Sequence, residues 1–213
     1  MKYSYKNIIR YGDTLDLKGK DKEWYRQALF EYYYHLSKIN FKNDLVILKY
    51  FGDSFFHDSY IESMIYDLKR KNFSLILNSI HIFQDINAYR NANGLKEIGY
   101  DEYLKNPVLI KCTFKYVSGF QCKVAFNEHY SIMDTEINNY DKKNGYGLTM
   151  SLWKEQEINF YCKNVRVEIP TGTVSYYTLN KRKTIPLNRI WKANLLTPKK
   201  INDFLQKRIL PWE

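Results

Sequence analysis

The sequence predicts an α+β fold: a central antiparallel β-meander sheet with an N-terminal helix and a C-terminal helix packed against it. Apolar residues repeat at helical spacing over residues 21–38, and again after Thr197 and Pro198. The stretch between them breaks into short β-like runs separated by polar turns. A length of 213 residues with 45% hydrophobic content suffices to bury one core, and no repeat or low-complexity linker divides it. Residues 1–213 therefore read as a single α+β domain.

The first helix is expected over residues 21–38. Asp21 stands where a cap would, Glu23 puts negative charge in the first turn, and Tyr25, Ala28, Leu29, Tyr32 and Leu36 share one face. Leu45 to Phe51 fits a strand or a second short helix equally, and Gly52-Asp53-Ser54 ends it. Tyr60–Tyr66 and Phe73–Leu77, with the polar link Asp67–Asn72 between them, read as a hairpin. Residues 84–106 read as polar and irregular, with one helical turn at Asp101–Leu104. Val108–Val117 and Gln121–Phe126 read as a second hairpin turning at Ser118-Gly119. Glu136–Tyr140, Leu148–Trp153, Glu157–Cys162 and Val165–Ile169 continue the strands, so that 107–169 is a meander. Thr197 and Pro198 start the last helix. Ile201, Phe204, Leu205 and Leu210 form its apolar face, with Lys207 and Arg208 in its last turn.

Net charge is +10, which favours anionic partners: nucleic acid, acidic protein surface or anionic lipid. Lysine on a solvated face has the same sign for reasons of solubility alone. Tyr is abundant at 20 copies, against 12 Phe and 4 Trp. Tyr, Lys, Asn and Ile share AT-rich codons, and an AT-rich bacterial genome explains much of that excess. The first ten residues carry no apolar core and no small-residue cleavage site, so no secretory signal is expected. No run approaches the roughly 18 apolar residues of a membrane span. Cys112, Cys122 and Cys162 are an odd set without C-x-x-C spacing, as expected of reduced thiols in the cytoplasm.

No catalytic constellation is legible. Phe56-His57-Asp58-Ser59 is the one patterned segment. On a strand, His57 and Asp58 would point to opposite faces and would not bond each other. Asp58 and Ser59 satisfying backbone donors at a turn is the plainer role. A hydrolase would need both side chains on one concave pocket, and no nucleophile turn completes a triad. His35, His57, His81 and His129 show no paired metal spacing, and a zinc site of Cys112, Cys122 and a histidine would depend on folding alone. Gly145-Tyr146-Gly147 is turn chemistry rather than a phosphate loop. No cofactor and no metal are expected.

The basic clusters are Lys69-Arg70-Lys71 in a hairpin turn and Lys181-Arg182-Lys183 in a loop after Tyr176-Tyr177. Cations interleaved with aromatics suit phosphate neutralisation and base stacking, so a nucleic-acid-binding module is the alternative function. The charge reads as spread over turns and helix ends, with no single basic stripe. Tyr33 and Tyr34 lie off the face that Tyr32 buries, so part of this aromatic surface is either covered by the sheet, as in a helix packed on two sides, or exposed. Exposed tyrosine beside charge is what protein interfaces favour.

The run Phe56-His57-Asp58-Ser59-Tyr60-Ile61 and the paired strands after it resemble small bacterial immunity proteins of polymorphic toxin systems, with their F/L-H-D-S-x-I pattern. The later part of the pattern falls on Asp134-Thr135-Glu136-Ile137, Leu148-Thr149-Met150 and Val165 to Ile169. The resemblance covers residues 55–170 and leaves out both terminal helices. It implies a non-enzymatic binding protein that neutralises a toxin by capping it. The expected partner-binding residues are Tyr33 and Tyr34 on the aromatic surface of the first helix, with His57 and Asp58 in the patterned run. Many such proteins are acidic, whereas this chain is basic, so its toxin would present an acidic surface.

Overall fold

The computed structural model describes residues 20–41, 44–52, 54–79, 83–84, 86–87, 90–91, 94–105, 107–124, 130–168, 173–178, 181–186 and 195–207. For 20–22, 25, 54, 155, 173–178 and 181–186 the description is of the backbone alone. His81, His129, Phe126, Ile169, Arg208 and Leu210 lie outside the described residues, as does the N-terminal segment.

The fold is α+β, as the sequence predicts. Helix α1, Lys20–Ser37, buries Tyr32, Tyr33 and Leu36 on one face. Asp21 is already helical and is not the cap. Helix α2 is Leu45–Phe51. Its apolar run fits strand and helix alike, and Asp44 resolves it. The Asp44 Oδ1 accepts from Val46 N at 3.1 Å and Ile47 N at 3.3 Å, satisfying the free donors of a helix start. Gly52 closes the helix with an N–H to Leu48 O. A 3₁₀ turn, Ser54–Phe56, leads into strand β1, Ser59–Asp67, which pairs with β2, Asn72–Asn78, as the expected hairpin. Phe83 is helical, as are Gln84, Ile86, Asn87, Arg90 and Asn91, which fall in the 84–106 stretch that reads from sequence as irregular. The helical turn expected near Asp101 is α3, Tyr100–Lys105.

Six more strands complete the main sheet: β3 Leu109–Lys115, β4 Ser118–Lys123, β5 Tyr130–Asp141, β6 Gly145–Leu152, β7 Glu157–Cys162 and β8 Asn164–Glu168. All described pairings are antiparallel, and the order is β4-β7-β6-β5-β1-β2-β3-β8. Strands β5, β6 and β7 are the expected meander. The expected hairpin of β3 and β4 does not form. β3 pairs with β2 and β8, and β4 pairs with β7. Ser118 and Gly119 begin β4, and the chain turns instead at Tyr116, whose φ of +56° is left-handed.

This order forces the sheet to curl. β4 stands at one end and β3 next to the other, yet only Tyr116 and Val117 join them. β7 and β8 lie near opposite ends and are joined by Lys163 alone. A residue spans at most about 3.6 Å, so the two ends must meet. Inside the curl, Phe114 of β3 and Phe160 of β7 are 4.8 Å apart, Phe73 and Phe120 4.9 Å, and Phe73 and Phe160 5.3 Å.

Helix α4, Pro198–Lys207, starts as expected, with Thr197 Oγ1 accepting from Lys200 N at 3.2 Å. Its buried Phe204 packs edge-on against Tyr33 at 5.1 Å, joining the terminal helices. α1 also meets the sheet, where Ile137 N donates to Tyr32 Oη at 3.2 Å. Strands β9, Thr173–Thr178, and β10, Lys181–Pro186, form a separate two-stranded sheet. Among the described residues, no helix is long and apolar enough to cross a membrane.

Candidate functional site

Tyr33 and Tyr34 have opposite fates. Tyr33 is fully buried against Phe204, so it is a core residue and presents no surface to a partner. Tyr34 is 50% exposed on the outer face of α1. Its ring stacks on Phe30 at 6.4 Å, and Lys38 Nζ sits 3.9 Å from its centroid. The hydrogen bond and charge of Lys38 lower the Tyr34 phenol from its ordinary value. Trp24 is 44% exposed on the same helix, and Gln27 Nε2 donates to Glu31 Oε1 between them at 3.1 Å. Residues 24, 27, 31, 34 and 38 follow the steps of three and four that share one helix face. Beside this face, a cleft of about 190 Å³ is lined by Glu23, Arg26, Gln27, Phe30 and Phe204. Trp24 and Lys38 are legible in the sequence at helical spacing from Tyr34. The cleft is not, because it needs α4.

His57 and Asp58 do bond each other, contrary to the expectation for strand neighbours. They form the turn before β1, and Asp58 takes a left-handed φ of +59°. In this turn His57 Nδ1 pairs with Asp58 Oδ2 at 2.9 Å. Asp58 N donates to Ile132 O at 2.7 Å, tying the turn to β5. The Asp58 carboxylate therefore faces the His57 ring across the turn. Among the described residues, Ser59 Oγ and Tyr130 Oη, on the strands that follow, are buried with no hydrogen-bond partner.

Lys69, Arg70 and Lys71 occupy the β1–β2 turn as expected, and all are exposed. Asp67 Oδ1 accepts from Arg70 N at 3.0 Å and so shapes the turn. Lys181, Arg182 and Lys183 open strand β10 rather than lying in a loop. They stand across from Thr178, Tyr177 and Tyr176 in register. Their side chains lie outside the described residues.

The cysteines do not converge. Cys112 is buried in β3, Cys162 is buried in β7, and Cys122 is exposed on β4. Burial pushes the Cys112 and Cys162 thiols far up, as for small apolar residues rather than nucleophiles. Among the described residues, no group of His, Cys, Asp and Glu is placed to hold a metal ion. No protein-family model matches the chain, and no curated protein matches it either.

Proposed function

We propose that this chain is a non-enzymatic binding protein that docks a protein partner on the outer face of α1. The carrying observation is Trp24 and Tyr34 exposed on a helix whose opposite face is locked into the core. Trp and Tyr dominate binding hot spots, and a rigid helix presents them without an ordering cost on binding. The adjoining cleft offers a polar rim of Glu23, Arg26 and Gln27 over Phe30 and Phe204, suited to one inserted side chain.

Toxin neutralisation in the cytoplasm is the specific form of that activity. The run Phe56 to Ile61 leading into a paired β1–β2 hairpin supports it. A tagged chain purified from its native host should return a stoichiometric protein. Trp24→Ala with Tyr34→Ala should cut that capture by roughly tenfold or more, since a hot-spot truncation costs at least about 2 kcal/mol. Unchanged circular dichroism would show that the variant still folds. Recovery of nucleic acid alone, or capture indifferent to both substitutions, overturns the reading.

A further inference from the structure

We propose that one end of the main sheet binds single-stranded nucleic acid, through a site assembled from turns far apart in sequence. The β1–β2 turn brings the exposed Lys69, Arg70 and Lys71. The Lys71 carbonyl accepts from Val117 N at 2.7 Å, which pins that turn to the β3–β4 corner. Exposed Lys115 ends β3, and its carbonyl accepts from Lys163 N at 3.0 Å, which pins the β7–β8 link to the same corner. The β5–β6 turn is next. A Cβ on Gly145 would stand 2.9 Å from Lys163 Cα, and just before it come the exposed Lys142 and Lys143.

Tyr116 sits at the corner where these turns meet. It is 58% exposed, in a left-handed conformation, between exposed Lys115 and buried Val117. The carboxylates of the two hairpin turns are engaged locally. Asp67 accepts from Arg70 N at 3.0 Å and faces Arg70 Nε at 3.8 Å. Asp141 Oδ1 accepts from Lys143 N at 2.9 Å and Asn144 N at 2.6 Å. These turns therefore offer a ligand several cations beside the exposed Tyr116 ring, with Leu68 and Tyr140 also exposed at the same end. Phosphates flanking a stacked base match that arrangement, and a duplex, with its base faces covered, does not.

The test is fluorescence anisotropy of a fluorescein-labelled oligothymidylate titrated with the full chain. Binding is expected at low salt and should weaken linearly on a log–log salt plot. Lys115→Gln with Lys163→Gln should weaken it and make the slope shallower by about 0.7 for each phosphate no longer neutralised. Tyr116→Asn should weaken it by roughly tenfold with the slope unchanged, because a stacking platform is removed rather than a charge. Asparagine tolerates the left-handed backbone, so the corner itself survives. Circular dichroism establishes that each variant is folded. Absence of binding at low salt, binding that every variant keeps, tighter binding of duplex, or use of these lysines to capture an acidic protein instead would each overturn the proposal.

Discussion

Asp44 ties helix α2 to strand β8 through one buried side chain. Its Oδ1 caps α2, and its Oδ2 accepts from Val165 N at 3.0 Å on the edge strand β8. Removing it strips a helix cap and leaves a buried N–H unpaired. Asp44→Ala should therefore cost about 2–4 kcal/mol in chemical denaturation, adding roughly 1 for the cap to 1–3 for the orphaned donor. Burial raises the Asp44 carboxyl above its ordinary 3.8, although the three backbone donors pull it down. The folded state then holds this proton more tightly than the unfolded chain. The stability it contributes is fully present below about 3.8 and is lost as pH rises through the raised value. The stability difference between wild type and Asp44→Asn should accordingly shrink from acid toward neutral pH. A difference that grows with pH would show that the N–H donors outweigh burial. Tyr33 and Tyr34 diverge within one turn of α1. They are chain neighbours of one residue type, yet Tyr33 is buried against Phe204 of α4 while Tyr34 stays half exposed.

The β5–β6 turn shows how an element constrains its neighbours. Gly145 has a φ of +92°, and an added Cβ would press on the carbonyl of Cys162 and on Lys163 Cα. Both the backbone angle and the approach demand glycine. Gly145→Ala should destabilise the fold by about 1–3 kcal/mol from backbone strain alone. A lowered thermal midpoint would register it. Because this turn abuts the β7–β8 link, the same substitution should also disturb the basic end of the sheet. Helix α2 carries the opposite lesson. Its seven residues contain no periodic signal that separates helix from strand, and the cap outside them decides. Helix α4 could be read in advance because its cap and its apolar face are both local.

At the scale of the molecule, the curled sheet encloses an aromatic core of Phe73, Phe114, Phe120 and Phe160. These rings come from strands at both ends of the sheet, so they meet only when the curl is closed. Phe160→Ala should cost about 3–5 kcal/mol in denaturant unfolding. A much smaller loss would mean that the ends are not held together by this core. The curl also brings Lys71, Lys115 and Lys163 to one corner through backbone hydrogen bonds. A basic surface that looks scattered along the chain is gathered by topology.

The α+β class, the terminal helices, the β1–β2 hairpin and the β5–β6–β7 meander are all readable along the chain. Each rests on periodicity, caps or turns within a few residues, which are local properties of the chain. The exposed α1 face was half legible, since Tyr34 and Lys38 share a helical stripe with Trp24. That Tyr33 is core, that His57 and Asp58 meet in a turn, and that β3 and β4 separate all follow from contacts between distant parts of the chain. Strand order depends on which edges close over which side chains, and a pleated strand with two apolar neighbours available does not record which it will choose. The basic corner depends on that choice, and for that reason it is invisible until the sheet is closed.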